Sequence, residues 1–263
     1  MLGAIIGDIV GSFAELGCEK TKEFALFGTG CEPTDDSVMT IAVGLACCEA
    51  SLSDEDDFKR AVVRQMRAMG ARYPYLGYGG TFVEWLRDED MGPYGSYGNG
   101  SAMRVSTVAW VAESLSEAER LAAWSAEVTH DHPEGVRGAQ AVAAAIYLAR
   151  EGKDKDEIRA YIERHYYNLD FTLDEIRPTY EWDATCQGSV PQAIVCFLEG
   201  EDYEDTIRNA ISLGGDADTQ AAIAGAIAEA YFGIPEEIAE EGLSYMDEDL
   251  LADYHLVREE LGF

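Results

Sequence analysis

Two pairs of aspartates stand apart from the other acidic residues because uncharged residues surround them. Asp216 and Asp218 are the charged residues of the stretch 209–228, and Asp35 and Asp36 precede an apolar run. Burying such carboxylates is costly unless a cation pairs with them. A site made only of oxygen donors favours a hard divalent cation, Mg²⁺ or Mn²⁺. The pattern therefore predicts one metal centre built from both pairs, with two unrelated helix caps as the alternative.

The other Asp-x-Asp pairs begin charged helices or surface loops. They occupy positions 54/56, 88/90, 154/156 and 247/249. An aspartate at the start of a helix accepts hydrogen bonds from backbone N–H groups and interacts favourably with the helix dipole. We expect these residues to be solvated helix caps rather than metal ligands.

Composition limits the partners of the chain. Its 263 residues include 50 acidic and 19 basic residues, which gives a net charge of −31. Binding to nucleic acid or to an anionic membrane surface needs basic residues, so neither partner is expected. The six cysteines show no Cys-x-x-Cys spacing, and no targeting segment is visible. We therefore predict a reduced, cytoplasmic protein without disulfides or zinc.

Helical periodicity supplies the elements that position these residues. Caps are predicted at Ser53 and Ser116, each followed by apolar residues at helical spacing. Further helices are predicted at about 135–150, 155–166, 189–199, 203–213, 217–232 and 247–261. Gly225 lies inside a predicted helix and indicates a close approach of two helices.

The absence of strand-like alternation predicts an all-α fold. We expect one compact domain, residues 1–263, that forms an orthogonal bundle of ten or more helices and acts as a monomer. The Gly- and Tyr-rich stretch 73–100 is expected to be a long irregular segment.

Five short motifs occur in a fixed order along the chain. They are Gly-Asp-Ile-Val-Gly-Ser-Phe-Ala-Glu (7–15), Pro-Thr-Asp-Asp-Ser-Val-Met-Thr (33–40), Tyr-Gly-Asn-Gly-Ser-Ala-Met-Arg (97–104), Thr-His-Asp-His-Pro (129–133) and Gly-Gly-Asp-Ala-Asp-Thr (214–219). With these motifs the chain resembles the ADP-ribosylglycohydrolases of the dinitrogenase-reductase-activating type. The resemblance implies an all-α fold with a cleft that holds two Mg²⁺ or two Mn²⁺ ions.

The resemblance also implies roles for individual residues. The implied metal ligands are Thr34, Asp35, Asp36, Asp216, Asp218 and Thr219. Glu15 matches a glutamate that is implicated in catalysis beside the metals, and Asp35 is the alternative group for proton transfer. The implied substrate contacts are His130 and the diphosphate loop Gly98, Asn99, Gly100 and Ser101. A glycine-rich turn that opens a helix does present N–H groups to a diphosphate, although a plain helix start is the alternative interpretation.

The activity implied by the resemblance is cleavage of the C1″ glycosidic bond of ADP-ribosylated protein, with release of ADP-ribose. Arginine-linked ADP-ribose is the first expectation because an acidic cleft suits a guanidinium, and Glu84, Asp88 and Asp90 are expected to surround its mouth. Serine-linked ADP-ribose and O-acetyl-ADP-ribose are alternative substrates. A non-catalytic ADP-ribose-binding protein and a general Mg²⁺ phosphohydrolase are alternative functions.

Two further segments carry expectations that the structure can test. Residues 187–192 are expected to form a loop on the leaving-group side of the pocket. Arg104 is expected to form an ion pair with a surface acid rather than to reach a phosphate.

Overall fold

A computed structural model describes residues 1–14, 17 and 19–263 of the chain. These residues form fifteen α-helices and, after the first of them, a 3₁₀ turn (Ser12–Ala14). The helices are α1 (Leu2–Gly11), α2 (Asp35–Glu49), α3 (Glu55–Arg72), α4 (Gly80–Arg87), α5 (Gly100–Met103), α6 (Ser106–Val111), α7 (Leu115–Glu127), α8 (Pro133–Arg150), α9 (Lys155–His165), α10 (Leu173–Ile176), α11 (Cys186–Glu199), α12 (Tyr203–Leu213), α13 (Ala217–Phe232), α14 (Glu236–Leu243) and α15 (Glu248–Leu261).

The predicted all-α class is confirmed. The described residues contain no β-strand, and an isolated bridge joins Gly98 to Thr185. The fifteen helices of the described residues agree with the expected ten or more. None of the helices in the described part of the chain combines the length and the hydrophobicity that a membrane crossing requires.

The centre of the bundle is α13. Its residues from Ala217 to Ala228 are all buried, and the helix packs against α1, α8, α11 and α12. A helix that is apolar on all sides must be surrounded by other elements. The two aspartates at its N-terminal end are therefore held inside the protein rather than at its surface.

The contact between α1 and α13 is made by backbone against backbone. A Cβ atom placed on Gly7 would lie 2.1 Å from the carbonyl oxygen of Ala221, and one on Gly3 would lie 2.3 Å from that of Gly225. A Cβ atom on Gly11 would lie 2.5 Å from the Cα of Asp218. The close approach predicted at Gly225 is confirmed, and its partner is the N-terminal helix.

The predicted caps at Ser53 and Ser116 are wrong by one and two residues. α3 is capped by Asp54, whose carboxylate accepts a hydrogen bond from the N–H of Asp57, and α7 is capped by Ser114. A carboxylate makes a stronger cap bond than the neighbouring hydroxyl of Ser53 can. The expected caps of two further helices are confirmed, because Asp154 and Asp247 accept backbone N–H groups at the starts of α9 and α15.

Two segments predicted to be irregular contain helix instead. The stretch 73–100 includes α4, whose buried Phe82 and Trp85 have stacked rings with centroids 5.5 Å apart. Residues 187–192 lie inside α11 rather than in the expected loop, which agrees with the helix predicted at about 189–199, and Val190 and Pro191 are buried there. In both segments, burial of apolar side chains outweighs the turn-forming residues that suggested a loop.

The close contact between α1 and α13 makes a prediction for stability. Gly7→Ala places a methyl group against backbone atoms of Ala221, which cannot move without displacing the helix. We therefore expect a loss of about 3 kcal/mol in the free energy of unfolding. Urea unfolding followed by circular dichroism measures this loss. Gly28→Ala is the matched control, because a Cβ atom there meets nothing within 4 Å. Equal stability of the two variants would contradict the prediction.

Candidate metal centre and binding cleft

A cleft of about 620 Å³ opens over the N-terminal ends of α2 and α13. Its lining includes Asp35 and Asp36 from α2, and Asp216, Asp218 and Thr219 from the start of α13. The two helices contact each other, and both contact α1. The two aspartate pairs, which are far apart in the sequence, therefore share one cavity.

Asp8 of α1 lies directly behind this cluster and was missed by the sequence analysis. It is fully buried, and its carboxylate accepts hydrogen bonds from Thr34 N at 2.9 Å, Thr34 Oγ1 at 2.6 Å and Ser37 N at 3.0 Å. The hydroxyl of Ser37 also donates to it. Asp8 thus holds the first turn of α2 in place. A single acid inside the apolar run of α1 was the sequence signal for this role.

Asp36 carries an oxygen atom that suits a cation. Its Oδ2 accepts a hydrogen bond from Thr219 Oγ1 at 3.1 Å, whereas its buried Oδ1 has no hydrogen-bond partner among the described residues. Asp8, Asp36 and Asp218 each offer a carboxylate oxygen, and these atoms lie within 4.8 Å of one another. An unpaired buried oxygen in an all-oxygen cluster fits the requirements of a hard divalent cation.

Burial and mutual repulsion raise the pKa values of these carboxyl groups. Burial raises the pKa of Asp8 to about 6. Burial, and then the negative charges of Asp8, Asp218, Asp35 and Asp216, raises the pKa of Asp36 well above its usual range. Burial also raises the pKa of Asp216. A cation bound here would compete with protons for the same oxygens, so its affinity would increase with pH.

A sharp turn before α13 presents Asp216 to the cleft. Gly214 and Gly215 have φ values of +69° and +76°, which other residues rarely adopt. Gln220 closes the turn by donating to the carbonyl oxygens of Gly214 and Asp216. The Oδ2 of Asp216 then accepts a hydrogen bond from Asn99 Nδ2 at 2.7 Å. Asn99 was predicted to contact substrate, and the structure ties its side chain to the aspartate cluster.

Thr34 occupies a different position from the other predicted ligands. It is the N-cap of α2, and its hydroxyl donates to Asp8. Thr219 is one of the described residues that line the cleft, and Thr34 is not. Thr219 thus faces the cavity, whereas Thr34 fixes the start of α2 from the preceding position.

The strip 98–101 forms one wall of the cleft with three of its four residues. Gly98, Asn99 and Gly100 line the cavity, together with His130. Ser101 is buried, and its hydroxyl donates to the carbonyl oxygen of Gly135 at 2.7 Å. Ser101 therefore supports the start of α8 and does not face the cleft.

Two backbone N–H groups of this wall already have partners inside the protein. Asn99 N donates to the carbonyl oxygen of Ala184 at 2.8 Å, and Gly98 N donates to Ser96 Oγ at 3.2 Å. Both N–H groups are therefore engaged within the protein. The bond to Ala184 joins this wall to the segment that precedes α11.

Two exposed aromatic rings line the mouth of the cleft, and neither was singled out from the sequence. Tyr97 is 48% exposed and Trp182 is 62% exposed. Large aromatic side chains are usually buried, and exposed ones beside a cavity offer flat faces for a planar ligand. Their position at the ends of two loops could not be read from the sequence.

Three acids expected at the cleft mouth are elsewhere. Glu84, Asp88 and Asp90 are absent from the lining that the described residues form, and Asp183 is present.

Arg104 is fully buried and donates hydrogen bonds to oxygens of Gly100, Ser125 and Thr129, so the expected ion pair with a surface acid is wrong.

Glu15, the predicted catalytic glutamate, lies outside the described residues, and its role stays a prediction from the sequence.

Comparisons with known proteins agree with this arrangement. A sequence-family model described as ADP-ribosylglycohydrolase matches residues 1–261. Human ADP-ribosylhydrolase ARH3 is 28% identical to this chain over 96% of the chain and 90% of its own length. The ADP-ribosylarginine hydrolase Tri1 of Pseudomonas putida is also 28% identical, over 89% of this chain and 70% of its own length.

A solved structure shares the fold. The chain titled "ADP-ribosylglycohydrolase-related protein complex" superposes with a TM-score of 0.64 and covers 99% of this chain and 97% of its own length. At 22% sequence identity this likeness concerns the fold alone.

The aspartate cluster makes a prediction for metal binding. Asp36→Asn removes charge at the buried oxygen without a partner, so Mn²⁺ affinity should fall by more than about 100-fold. Asp8→Asn disturbs the support of α2, and we expect a smaller loss of about 10–100-fold. Isothermal titration calorimetry measures both affinities. Asp154→Asn is the control, because Asp154 caps the exposed start of α9. Unchanged Mn²⁺ affinity in Asp36→Asn would contradict a metal centre at this cluster.

Proposed function

The chain belongs to the ADP-ribosylglycohydrolase family and is a hydrolase of ADP-ribosyl groups, and we propose that it releases ADP-ribose from modified arginine side chains. The observation that carries the proposal is the buried carboxylate cluster at the bottom of a cleft with aromatic residues at its mouth. The cluster suits cations and a ribose ring, and the exposed rings of Tyr97 and Trp182 suit a planar base.

We propose that the cluster holds two Mg²⁺ or Mn²⁺ ions. Asp35, Asp36, Asp216, Asp218 and Thr219 line the cleft and offer only oxygen atoms. Thr34, the sixth ligand implied by the resemblance, would have to bind through the oxygen that also donates to Asp8. Divalent cations bound here would supply Lewis acidity and would lower the pKa of a bound water.

The residues of the chain itself supply orientation and charge. Asp8 fixes the start of α2, and Asn99 fixes the carboxylate of Asp216. Both contacts hold the carboxylates in one geometry before substrate arrives. Glycosidic bond cleavage passes through an oxocarbenium-like transition state, and fixed negative charge next to the ribose ring stabilises it.

The proton transfer is assigned to Glu15 or Asp35. Asp35 lines the cleft at the start of α2, where its N–H donates to the carbonyl oxygen of Leu76 at 2.9 Å. Glu15 follows the 3₁₀ turn Ser12–Ala14 in the sequence. Its proposed role as the group that positions water or moves the proton rests on the motif resemblance.

The diphosphate is proposed to lie along the wall that Gly98, Gly100 and His130 form. Since the N–H groups of Gly98 and Asn99 are engaged, the amides at the start of α5 are the donors that this proposal assigns to it. Ser101 contributes its amide here rather than its hydroxyl, which is bonded to Gly135.

An arginine linkage fits the charge of the cleft. Apart from the buried Arg104 and the ring of His130, the titratable side chains of its described lining are carboxyl or phenol groups. Such a cleft attracts a cationic guanidinium leaving group more strongly than a neutral hydroxyl. The similarity to an ADP-ribosylarginine hydrolase agrees with this choice.

We also propose that residues 1–263 act as one domain and as a monomer in the reducing cytoplasm. One hydrophobic core extends from Met1 to Val257. The five cysteines in the described part of the chain are free thiols, which suits a reducing compartment.

The reaction product tests the proposed function. With Mg²⁺ and a peptide that carries ADP-ribosyl-arginine, we expect mass spectrometry to detect intact ADP-ribose and unmodified arginine. Release of phosphate or AMP would indicate a phosphohydrolase and would contradict the proposal.

The linkage is tested by comparing two substrates. The value of kcat/KM should be higher for ADP-ribosyl-arginine than for ADP-ribosyl-serine peptides, and O-acetyl-ADP-ribose serves as a third substrate. The arginine advantage should shrink with added salt, because exposed charges are screened over about 8 Å at physiological ionic strength. A preference for serine, or an arginine preference that salt does not change, would contradict the electrostatic argument.

Glu15→Gln should lower kcat by roughly 10²–10⁴-fold, the usual contribution of a general acid or base. Calorimetry should show a much smaller loss of ADP-ribose affinity, because the aspartate cluster and the glycine wall, which is the wall of the cleft formed by Gly98, Asn99 and Gly100, hold the ligand. Glu19→Gln is a matched control, since Glu19 lies outside the five motifs. Equal losses in kcat and affinity would assign Glu15 to ligand binding instead of proton transfer.

A further inference from the structure

A buried arginine lies behind the glycine wall of the cleft. Arg104 is 1% exposed. Its Nη1 donates to the carbonyl oxygen of Gly100 at 2.8 Å, and its Nη2 donates to the carbonyl oxygen of Ser125 at 3.2 Å and to Thr129 Oγ1 at 2.9 Å. None of these acceptors is a carboxylate. The guanidinium therefore acts as a fixed hydrogen-bond donor rather than as one half of a salt bridge.

Thr129 links Arg104 to His130 through two hydrogen bonds of its hydroxyl group. The Thr129 hydroxyl oxygen accepts from Arg104, which can only donate, and lies 2.7 Å from His130 Nδ1. The hydroxyl has one proton, and Nδ1 is the acceptor that the described contacts provide for it. Nδ1 must then be unprotonated, so a neutral His130 carries its ring proton on Nε2.

The Nε2 atom of His130 faces the glycine wall. A Cβ atom placed on Gly100 would lie 3.2 Å from Nε2, and one on Gly98 would lie 3.5 Å from it. The ring itself is buried at 5% exposure and lines the cleft. Burial, with a further contribution from the Arg104 charge, lowers the pKa of His130 well below its usual value, so the ring stays neutral.

We propose that Arg104 and Thr129 are positioning residues that fix His130 in its Nε2–H tautomer, so that His130 donates a hydrogen bond to a phosphate oxygen of the ligand above Gly98 and Gly100. The inference rests on the proposed ADP-ribose site and adds the residues that orient one of its donors. A neutral donor of fixed direction is well suited to this role, because it binds an anion without requiring a proton from solvent.

Nitrogen NMR of the histidine rings in the ligand-free protein tests the tautomer directly. His130 is buried, whereas the other three histidines are exposed, and a His130→Gln spectrum identifies its signals. We expect an unprotonated Nδ1 that accepts a hydrogen bond, together with a protonated Nε2. A protonated Nδ1 in the wild-type chain would overturn the inference.

Thr129→Val removes the hydroxyl with little change of shape. We expect the Nδ1 signal to shift because its hydrogen bond is lost, and ADP-ribose to bind about tenfold more weakly in calorimetry. In turnover, KM should rise more than kcat falls. Thr129→Ser should restore the wild-type signal and affinity. An unchanged Nδ1 signal and unchanged affinity in Thr129→Val would overturn the inference.

Thr107→Val is the matched control for loss of a buried hydroxyl. Thr107 is fully buried, its Oγ1 has no partner among the described residues, and it does not line the cleft. Its replacement should leave the His130 signals and the ADP-ribose affinity unchanged. Because the tautomer is measured without ligand, a chain that releases no ADP-ribose would contradict the proposed function, whereas a wrong tautomer would contradict this inference.

Discussion

The packing of α1 directly on α13 is the constraint on which the cleft depends. Glycines of α1 meet the backbone of α13 with no room for a Cβ atom between them. This contact brings Asp8, which α1 carries, next to carboxylates of α2 and α13. A wider spacing of the two helices would separate oxygen atoms that now lie within 4.8 Å of one another. The glycines of the first helix therefore set the dimensions of the aspartate cluster.

Around that cluster, hydrogen bonds within the protein orient the carboxylates in advance. Asp8 fixes the start of α2, Thr219 donates to Asp36, and Asn99 donates to Asp216. Asn99 also belongs to the wall of the cleft, whose backbone is bonded to the segment before α11. The wall and the carboxylates are thus one connected network. A ligand that contacts both would meet groups that need little reorganisation on binding.

A chain with a net charge of −31 must bind an anion through local features. The proposed site does so with cations, with backbone amides at the start of a short helix and with a neutral histidine held in one tautomer. The only guanidinium in the described lining is that of Arg104, and its hydrogen bonds are directed at protein oxygens. The same negative charge that disfavours phosphate favours a cationic leaving group and an electron-poor ribose ring.

The sequence by itself determined most of the longer helices and the two aspartate pairs, because periodicity, caps and uncharged surroundings are local properties. It also carried enough ordered motifs to indicate the family. Only the tertiary structure decided what each side chain faces: Asp8 supports α2, Ser101 donates to Gly135 and Arg104 donates to Thr129. These facts depend on contacts between residues distant in the sequence. Such contacts follow from how helices pack, which a local pattern of residue types does not specify.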